Sequence, residues 1–200
     1  MRGALIAFEG IDGCGKSTHA RRVAARLSAL FTFEPGDTPL GVFLREKLLD
    51  GATPMVPATE ALMMLADRSH HVAQLIEPTL ATGQPVVTDR YWASTIAYQG
   101  YGRGLDVDDL LRATKLAIGE CQPTLTILID VPVATAFDRR PPRAEDRFES
   151  ATIDFHERVR AGYLELAARH TDTWVVIDGE GSMDEVAARV DAALASRGLA

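Results

Sequence analysis

The sequence predicts an α/β fold in which five parallel strands form a doubly wound sheet flanked by helices. Short apolar runs alternate with longer segments of helical periodicity, which is the order that a parallel sheet with crossover helices requires. The apolar runs are continuous rather than alternating, as expected of strands that are buried on both faces. With 200 residues and no linker, repeat or low-complexity segment, the chain is expected to form a single domain.

The strands are recognised as short apolar runs that end at charged or turn-forming residues. Four runs are clear and one, at 31–33, is weak because it is so short. The predicted strands are 5–9, 31–33, 86–89, 124–131 and 173–178.

The helices are recognised by apolar residues at helical spacing and by capping signals. The last one begins with a capping box, in which Ser182 and Glu185 satisfy each other's backbone groups. The predicted helices are 16–30, 57–82, 106–120, 152–170 and a final one that ends at Gly198.

Composition and charge exclude several classes of protein. Apolar residues make up 46% and charged residues 24% of the chain, as in ordinary globular proteins. The formal net charge of −7 argues against a nucleic-acid partner, which would need a basic surplus. No apolar run approaches the ~18 residues of a membrane span. The two cysteines form neither a disulfide framework nor a metal pattern, so we expect a reduced, cytoplasmic protein.

A phosphate-binding motif follows the first predicted strand and opens the first helix. Residues 10–17 read Gly-Ile-Asp-Gly-Cys-Gly-Lys-Ser and match G-x-x-x-x-G-K-[ST]. The glycines allow backbone N–H groups to converge on phosphate oxygens, beside the positive end of a helix. In this motif Lys16 reaches the β- and γ-phosphates and the Ser17 hydroxyl binds Mg²⁺. The sequence therefore predicts a phosphate-binding loop that holds a nucleoside triphosphate, which by itself does not define a function.

Two side chains within this loop leave alternatives open. Asp12 would repel a triphosphate if it pointed inward, so it either caps local amides or accepts from a sugar hydroxyl of a second substrate. Cys14 lies near a helix N-terminus, which lowers thiol pKa values and would suit a redox switch. The favoured alternative is that Cys14 is a small buried filler.

A second cluster of candidate residues follows the strand at 86–89. Ligands of open α/β sheets bind at the carboxyl ends of strands, so Asp89 is placed to hold Mg²⁺ through water and Arg90 to bind phosphate. The alternative is a structural ion pair at the strand end. Residues 94–104 then supply hydroxyl, amide and aromatic groups that suit a base edge, or they form a helix end and a glycine-rich loop.

The order and spacing of these motifs resemble bacterial thymidylate kinases, within the P-loop nucleoside monophosphate kinases. The resemblance spans essentially the whole chain. It rests on the phosphate loop together with Glu34-Pro35-Gly36, Ala66-Asp67-Arg68, Asp89-Arg90-Tyr91, Ala97-Tyr98-Gln99-Gly100 and Asp146-Arg147-Phe148-Glu149.

The resemblance implies phosphoryl transfer from ATP to dTMP with Mg²⁺, in a homodimer without nucleic-acid or membrane partners. The acceptor is itself a dianionic phosphate, so alignment and charge stabilisation suffice without a general base. The implied catalytic residues are Lys16, Arg90, Arg143 and Arg147. The implied ATP site comprises Gly10, Asp12, Gly13, Cys14, Gly15, Lys16, Ser17, Thr18 and Arg139, with Ser17 and Asp89 for the metal. The implied acceptor site comprises Asp12, Glu34, Arg45, Met64, Arg68, Arg90, Ser94, Thr95, Tyr98 and Gln99.

The segment at about 139–150 carries two prolines and several arginines and is predicted to be a mobile lid. Some family members carry a catalytic arginine within the phosphate loop, where this chain has Gly13. The resemblance therefore implies that Arg143 or Arg147 stabilises the transferring phosphoryl group, while Arg139 or Arg140 lies against adenine. The alternative is a solvated charged loop.

This chain departs from the family pattern at three positions. Phe33 stands where the family usually has arginine, Asp37 replaces a glycine, and Met64 replaces a phenylalanine expected to stack on thymine.

Two rival functions are kept beside this interpretation. One rival is a kinase of another nucleotide or of a deoxynucleoside. The other is a nucleotide-binding regulatory protein with little turnover. The adjacent His70 and His71 lack the i, i+4 spacing typical of a metal pair and are interpreted as helix-surface residues.

Overall fold

A parallel five-stranded sheet forms the centre of the protein. The structure is a computed structural model that describes residues 2–140, 147–148 and 151–199. Its strands are β1 (Leu5–Glu9), β2 (Leu30–Phe33), β3 (Val86–Asp89), β4 (Leu125–Asp130) and β5 (Trp174–Asp178). They lie in the order β2-β3-β1-β4-β5, and every neighbouring pair is parallel. The predicted fold class is confirmed, and the weak strand candidate is a genuine edge strand.

Helices cover both faces of this sheet. They are α1 (Lys16–Arg26), α2 (Pro39–Leu49), α3 (Pro57–His71), α4 (Glu77–Ala81), α5 (Trp92–Thr95), α6 (Val107–Ile118), α7 (Val133–Asp138), α8 (Ile153–Arg169) and α9 (Met183–Ser196). A π-helical stretch, Val72–Ile76, joins α3 to α4, and a second, Ile96–Gly102, extends α5. Across the described ranges, no helix combines the length and apolarity that a membrane crossing requires.

The central strand β1 fixes where the site lies. Its apolar residues are at most 1% exposed, because the sheet and its helices cover them completely. The chain leaves β1 toward β2 and β3 on one side and later adds β4 and β5 on the other. The carboxyl end of β1 is therefore a switch point, where open α/β sheets bind their ligands. The ends of β2 and β3, which carry Glu34 and Arg90, lie at this same edge.

Helix α2 is absent from the sequence prediction, although its start carries a recognisable signal. Thr38 has extended backbone, and its hydroxyl accepts a hydrogen bond from the Gly41 N–H at 3.0 Å. Pro39 follows at the first helical position, where its missing N–H has no consequence. The sequence analysis assigned no element to this region, and the structure shows a capped helix there.

The segment after α5 is helical through Gly102, which excludes the glycine-rich loop after a helix end that was one of its two interpretations. Gly102 of this segment allows a close approach to α8. A Cβ atom on Gly102 would lie 2.5 Å from the Phe155 ring, and one on Gly162 would lie 2.6 Å from the Tyr101 ring. The two helical segments interlock through small residues, which brings α8 against the site.

Candidate active site

The phosphate loop connects β1 to α1 in the predicted way. Gly10, Gly13 and Gly15 all have positive φ angles, at 142°, 91° and 94°, which only glycine adopts readily. A Cβ atom on Gly13 would lie 2.1 Å from the Ala136 carbonyl oxygen of α7. This carbonyl therefore excludes any side chain from position 13, which explains why the loop carries no arginine there.

The Cys14 thiol is a buried packing group. It is 1% exposed, and a Cβ atom on Gly10 would lie 2.7 Å from its sulfur. Burial raises the pKa of this thiol, so the lowering expected from the helix N-terminus is wrong. The favoured interpretation as a small filler is confirmed.

One cavity of about 510 Å³ lies against the phosphate loop at the carboxyl edge of the sheet. Every residue predicted to bind the acceptor contributes to its lining, together with Lys16, Ser17 and Asp89. The lining comprises Asp12, Lys16, Ser17, Arg21, Phe33, Glu34, Pro35, Gly36, Val42, Arg45, Leu49, Met64, Arg68, Asp89, Arg90, Ser94, Thr95, Tyr98, Gln99 and Phe148. Residues that are far apart in the sequence thus meet in a single space.

The Asp12 carboxylate lies among three donors at this cavity. The Arg90 guanidinium donates to it at 2.5 Å, the Lys16 ammonium at 3.3 Å and the Tyr98 hydroxyl at 2.8 Å. Burial opposes ionisation of Asp12, but the positive charges of Arg90 and Lys16 prevail and hold its pKa far below the usual range. Asp12 therefore does not cap local amides, and it keeps two cations side by side.

Arg90 is fixed in place by its backbone as well as its side chain. Its φ angle of 72° lies in the left-handed region, which a residue with a side chain adopts at some cost in energy. Its Nη1 atom donates to the Ser94 hydroxyl and the Tyr163 hydroxyl, each at 3.0 Å. These contacts direct the guanidinium across the mouth of the phosphate loop, where Nη1 also lies 3.2 Å from the Gly10 carbonyl oxygen.

Glu9, which the sequence analysis did not select, anchors this arrangement from below. It is fully buried and accepts the Tyr91 N–H at 2.9 Å, the Ser94 hydroxyl at 2.6 Å and the Tyr163 hydroxyl at 3.0 Å. Burial raises the pKa of Glu9. A charged residue at the end of an apolar strand was the available signal, because a buried carboxylate at that point must find donors.

Arg68 lies in a buried polar network beside the acceptor part of the cavity. Its Nε atom donates to Glu34 at 2.7 Å, and its two terminal nitrogens donate to the Thr95 hydroxyl at 2.7 Å and the Tyr91 carbonyl at 2.9 Å. The side chains of Arg68 and Glu34 are each 2% exposed. Arg68 thus contributes to the cavity wall while it ties three chain segments together.

His71 belongs to the same network, so its interpretation as a surface residue is wrong. It is fully buried, with Nδ1 2.9 Å from Glu34 and Nε2 2.6 Å from the Thr32 hydroxyl. Thr32 in turn donates to Asp37 at 2.6 Å, which gives the aspartate that replaces the family's glycine a structural partner. Adjacent histidines on a helix point in different directions, and only His71 faces the sheet.

Asp67 is a buried carboxyl group beside this network. It is 1% exposed, and its Oδ1 atom has no hydrogen-bond partner among the described residues. Burial, reinforced by the negative charge of Glu34, raises its pKa to about 6. The protein therefore keeps an acid with an unusually high proton affinity next to its cavity.

The side chains predicted to contact the base are held by neighbouring residues. The Gln99 amide nitrogen donates to Glu60 at 3.0 Å, and Arg103 binds the same carboxylate at 3.2 Å. Met64 also lines the cavity, whose wall includes Phe33 as well. Arg45 lies over the Phe33 ring at 5.6 Å and donates to the Pro35 carbonyl at 2.6 Å.

The lid arginines contribute differently from the rest. Arg139 donates to the Gly179 carbonyl at 2.9 Å. Arg147 donates to the carbonyl groups of Leu48 at 3.1 Å, Asp50 at 2.5 Å and Thr53. Neither side chain is among those that line the cavity. Arg143 and most of the predicted lid lie outside the described residues.

The residues predicted to hold a metal fit a magnesium ion. The Oδ1 atom of Asp89 is buried without a hydrogen-bond partner among the described residues, and Asp89 shares the cavity with the exposed Ser17. Hard oxygen donors from one carboxylate and one hydroxyl suit Mg²⁺, which usually takes its remaining ligands from phosphates and water. Thr18, next to Ser17, is exposed on the first turn of α1.

Comparisons with known proteins agree on one family. The family model described as thymidylate kinase matches residues 8–190. A thymidylate kinase of Cupriavidus metallidurans is 45% identical over 98% of this chain and 100% of its own length. A thymidylate kinase of Geobacter sulfurreducens is 43% identical over 98% of both chains.

A solved structure gives the same result for the fold. The crystal structure of thymidylate kinase from Ehrlichia chaffeensis matches with a TM-score of 0.81 and 31% identity, over 98% of this chain and 99% of that one. The sequence and structural matches thus extend over the sheet, the phosphate loop and the cavity. The chain belongs to the thymidylate kinase family.

Proposed function

We propose that this protein transfers the γ-phosphoryl group of ATP to dTMP, giving ADP and dTDP. The observation that supports this most strongly is the single cavity that joins the phosphate-loop residues Lys16 and Ser17 to Arg90, Met64 and Gln99. A kinase that uses two nucleotides needs the phosphate ends of both in one space. The family relationship supplies the identity of the acceptor.

The paired cations at Asp12 account for how two anions can meet here. Lys16 and Arg90 both bind the Asp12 carboxylate in this structure. Entering phosphates compete with that carboxylate for the same donors. The two cations then align the acceptor phosphate with the γ-phosphorus and stabilise the charge that spreads over the transferring group. Tyr98 and Ser94 keep Arg90 oriented throughout.

No base is required from the protein, because the acceptor oxygen already carries negative charge. The second pKa of a phosphate monoester is near 6, so dTMP is mostly dianionic at pH 7. Its oxygen forms a bond to the γ-phosphorus while the bond from that phosphorus to the β–γ bridging oxygen breaks, and ADP leaves with the bridging oxygen. We propose Ser17 and, through water, Asp89 as the residues that hold Mg²⁺, which neutralises phosphate charge when bound.

The lid remains part of this proposal. We propose that Arg143 or Arg147 reaches the transferring phosphoryl group when the segment at 139–150 closes, and that Arg139 or Arg140 lies against adenine. Replacing Arg139, Arg140, Arg143 and Arg147 singly by alanine tests this. At least one replacement is expected to lower kcat by ~10-fold or more. If all four leave kcat unchanged, the lid arginines have no catalytic role.

The reaction itself is tested by ADP release with a panel of monophosphates and deoxynucleosides. We expect dTMP to give the highest kcat/KM. Preference for a nucleoside or for another nucleotide would overturn the assignment of the acceptor. ADP release that is the same with and without every acceptor would instead indicate a nucleotide-binding protein or a hydrolase.

We also propose that two copies pair through α3, as the family resemblance implies, and that the protein works in the cytoplasm. Leu62 on α3 is 65% exposed, which is a large apolar surface to leave in water. Sedimentation is expected to give a dimer at micromolar concentration, and Leu62→Asp a monomer. A wild-type monomer at that concentration would contradict the pairing.

A further inference from the structure

Glu60 lies behind the cavity, next to a residue of the proposed base site. It is on α3, is 1% exposed and accepts a hydrogen bond from the Gln99 amide nitrogen at 3.0 Å. Gln99 is also 1% exposed, and it lines the cavity. Glu60 is not among the described residues that line the cavity, and it is linked to the cavity through Gln99, whose amide it binds.

Arg103 determines which hydrogen-bonding role Glu60 can take. Its Nε and Nη2 atoms donate to the two carboxylate oxygens of Glu60, each at 3.2 Å. The guanidinium also lies over the Phe155 ring at 4.7 Å, which restricts its movement. Both oxygens of Glu60 thus accept N–H groups from one guanidinium, and this two-pronged contact holds the side chain in the role of a hydrogen-bond acceptor.

This arrangement fixes which way the Gln99 amide is turned. An amide has a donor end and an acceptor end, and nothing but its partners decides between the two orientations. Because Glu60 can only accept, the end of Gln99 that faces it must be the NH₂ group. The carbonyl oxygen of Gln99 is therefore the end that remains for a ligand in the cavity.

We propose that Glu60 is a positioning residue that makes the site selective for pyrimidine bases with an N–H group at ring position 3. Thymine and uracil carry that donor, and the Gln99 oxygen accepts it. Cytosine has a lone pair at the same position, which would oppose the oxygen. This inference rests on the proposed function, because it concerns the base of the acceptor nucleotide.

The test uses Glu60→Gln, which keeps the shape of the side chain but can either donate or accept. Gln99 can then turn over and present its NH₂ group to the cavity. The readout is the ratio of the Kd values for dCMP and dTMP, measured by calorimetry, with kcat/KM for both nucleotides measured in parallel. A site built around one buried hydrogen bond discriminates strongly against a ligand that lacks it, so we expect the ratio to fall by ~10-fold or more.

The matched control is Glu46→Gln on α2, where the glutamate is exposed, and it should leave the ratio unchanged. A merely structural role for Glu60 would weaken the binding of both nucleotides equally. An unchanged ratio in Glu60→Gln therefore overturns the proposal. The effect of Glu60→Gln on the ratio should also vanish when Gln99 is replaced by methionine, since Glu60 is inferred to act through that residue.

A second variant keeps the proposal testable if Glu60→Gln does not fold. Arg103→Met removes the guanidinium that binds both carboxylate oxygens of Glu60, so Glu60 can turn away and release the Gln99 orientation. Its ratio of Kd values should fall in the same direction, and a ratio equal to that of wild type overturns the inference. Wild-type protein that binds dTMP in preference to dCMP but transfers no phosphoryl group would refute the proposed function alone. Wild type that binds neither nucleotide would refute both.

Discussion

The buried carboxyl group of Asp67 makes a quantitative prediction about stability and pH. Its pKa of about 6 in the folded protein lies above the ordinary value of 3.8, so the folded state holds this proton more tightly than the unfolded chain does. Protonation of Asp67 therefore stabilises the folded state, and this contribution is complete below about pH 4. It is lost as the pH rises through 6, where the buried group must ionise.

The size of the effect follows from the pKa difference. Each unit corresponds to about 1.4 kcal/mol, so a rise of about two units has a full effect of roughly 3 kcal/mol, of which about 2–3 kcal/mol falls between pH 4 and pH 7.5. Asparagine at position 67 has nearly the same shape and no charge. We expect the free energy of unfolding of Asp67→Asn, relative to wild type, to increase by about 2–3 kcal/mol between pH 4 and pH 7.5.

Urea unfolding of both proteins at several pH values between 4 and 7.5 measures this difference directly. Any packing penalty of the amide is independent of pH, so only the change in the difference counts. Asp138→Asn is the charge-matched control, because Asp138 is exposed at the end of α7, and its difference from wild type should stay nearly constant. A difference between wild type and Asp67→Asn that is equally constant would refute the reasoning.

Four further substitutions test the site. Arg90→Met should lower kcat for dTMP by ~100-fold or more, because it removes a cation aimed at developing charge; a loss under 10-fold would mean that Arg90 is only structural. Glu34→Gln breaks a buried ion pair and should lower the free energy of unfolding by roughly 3 kcal/mol, and an unshifted urea midpoint contradicts this. Gly13→Ala should lower the melting temperature and raise the KM for ATP, because its Cβ would meet the Ala136 carbonyl; wild-type values would show that the loop can yield. Met64→Phe should lower the KM for dTMP by stacking a ring on the base, and an unchanged or higher KM argues against stacking there.

The strands of the sheet and most of the residues that line the cavity could be predicted from the sequence. Continuous apolar strands and helical periodicity are local signals, so β1 and β3 were predicted with their observed ends. The cavity residues could be named because the family motifs specify them one by one. The weak strand at 31–33 became β2 because it pairs with β3, a long-range interaction that propensity does not contain.

The supporting polar groups were not predictable in the same way. Glu60 and Glu9 are both buried, and the donors that bind them come from distant parts of the chain. His71 was misinterpreted for the same reason, because its partner Glu34 is 37 residues away. A buried charge in a sequence predicts that a partner exists but not which one.

Glycine allows tight turns in some segments of this chain and close helix packing in others. At 100–104 the glycines left open a glycine-rich loop after a helix end, whereas Gly102 lies in a helical segment and allows α8 to pack closely. The π-helical stretch at Ile96–Gly102 depends on hydrogen bonds between residues five apart, and hydrophobic periodicity does not reveal that spacing. Contacts between segments, rather than local preference, decide such cases.

The contact between Gly13 and the Ala136 carbonyl also limits how this protein can evolve. A single codon change could introduce arginine at position 13, but the new side chain would have no room until α7 moved. Since α7 follows directly from the central part of the sheet, such a move would disturb the core before any benefit to turnover could be selected. A cation for the transferring phosphoryl group must therefore come from another segment of the chain, which is the role proposed for Arg143 or Arg147.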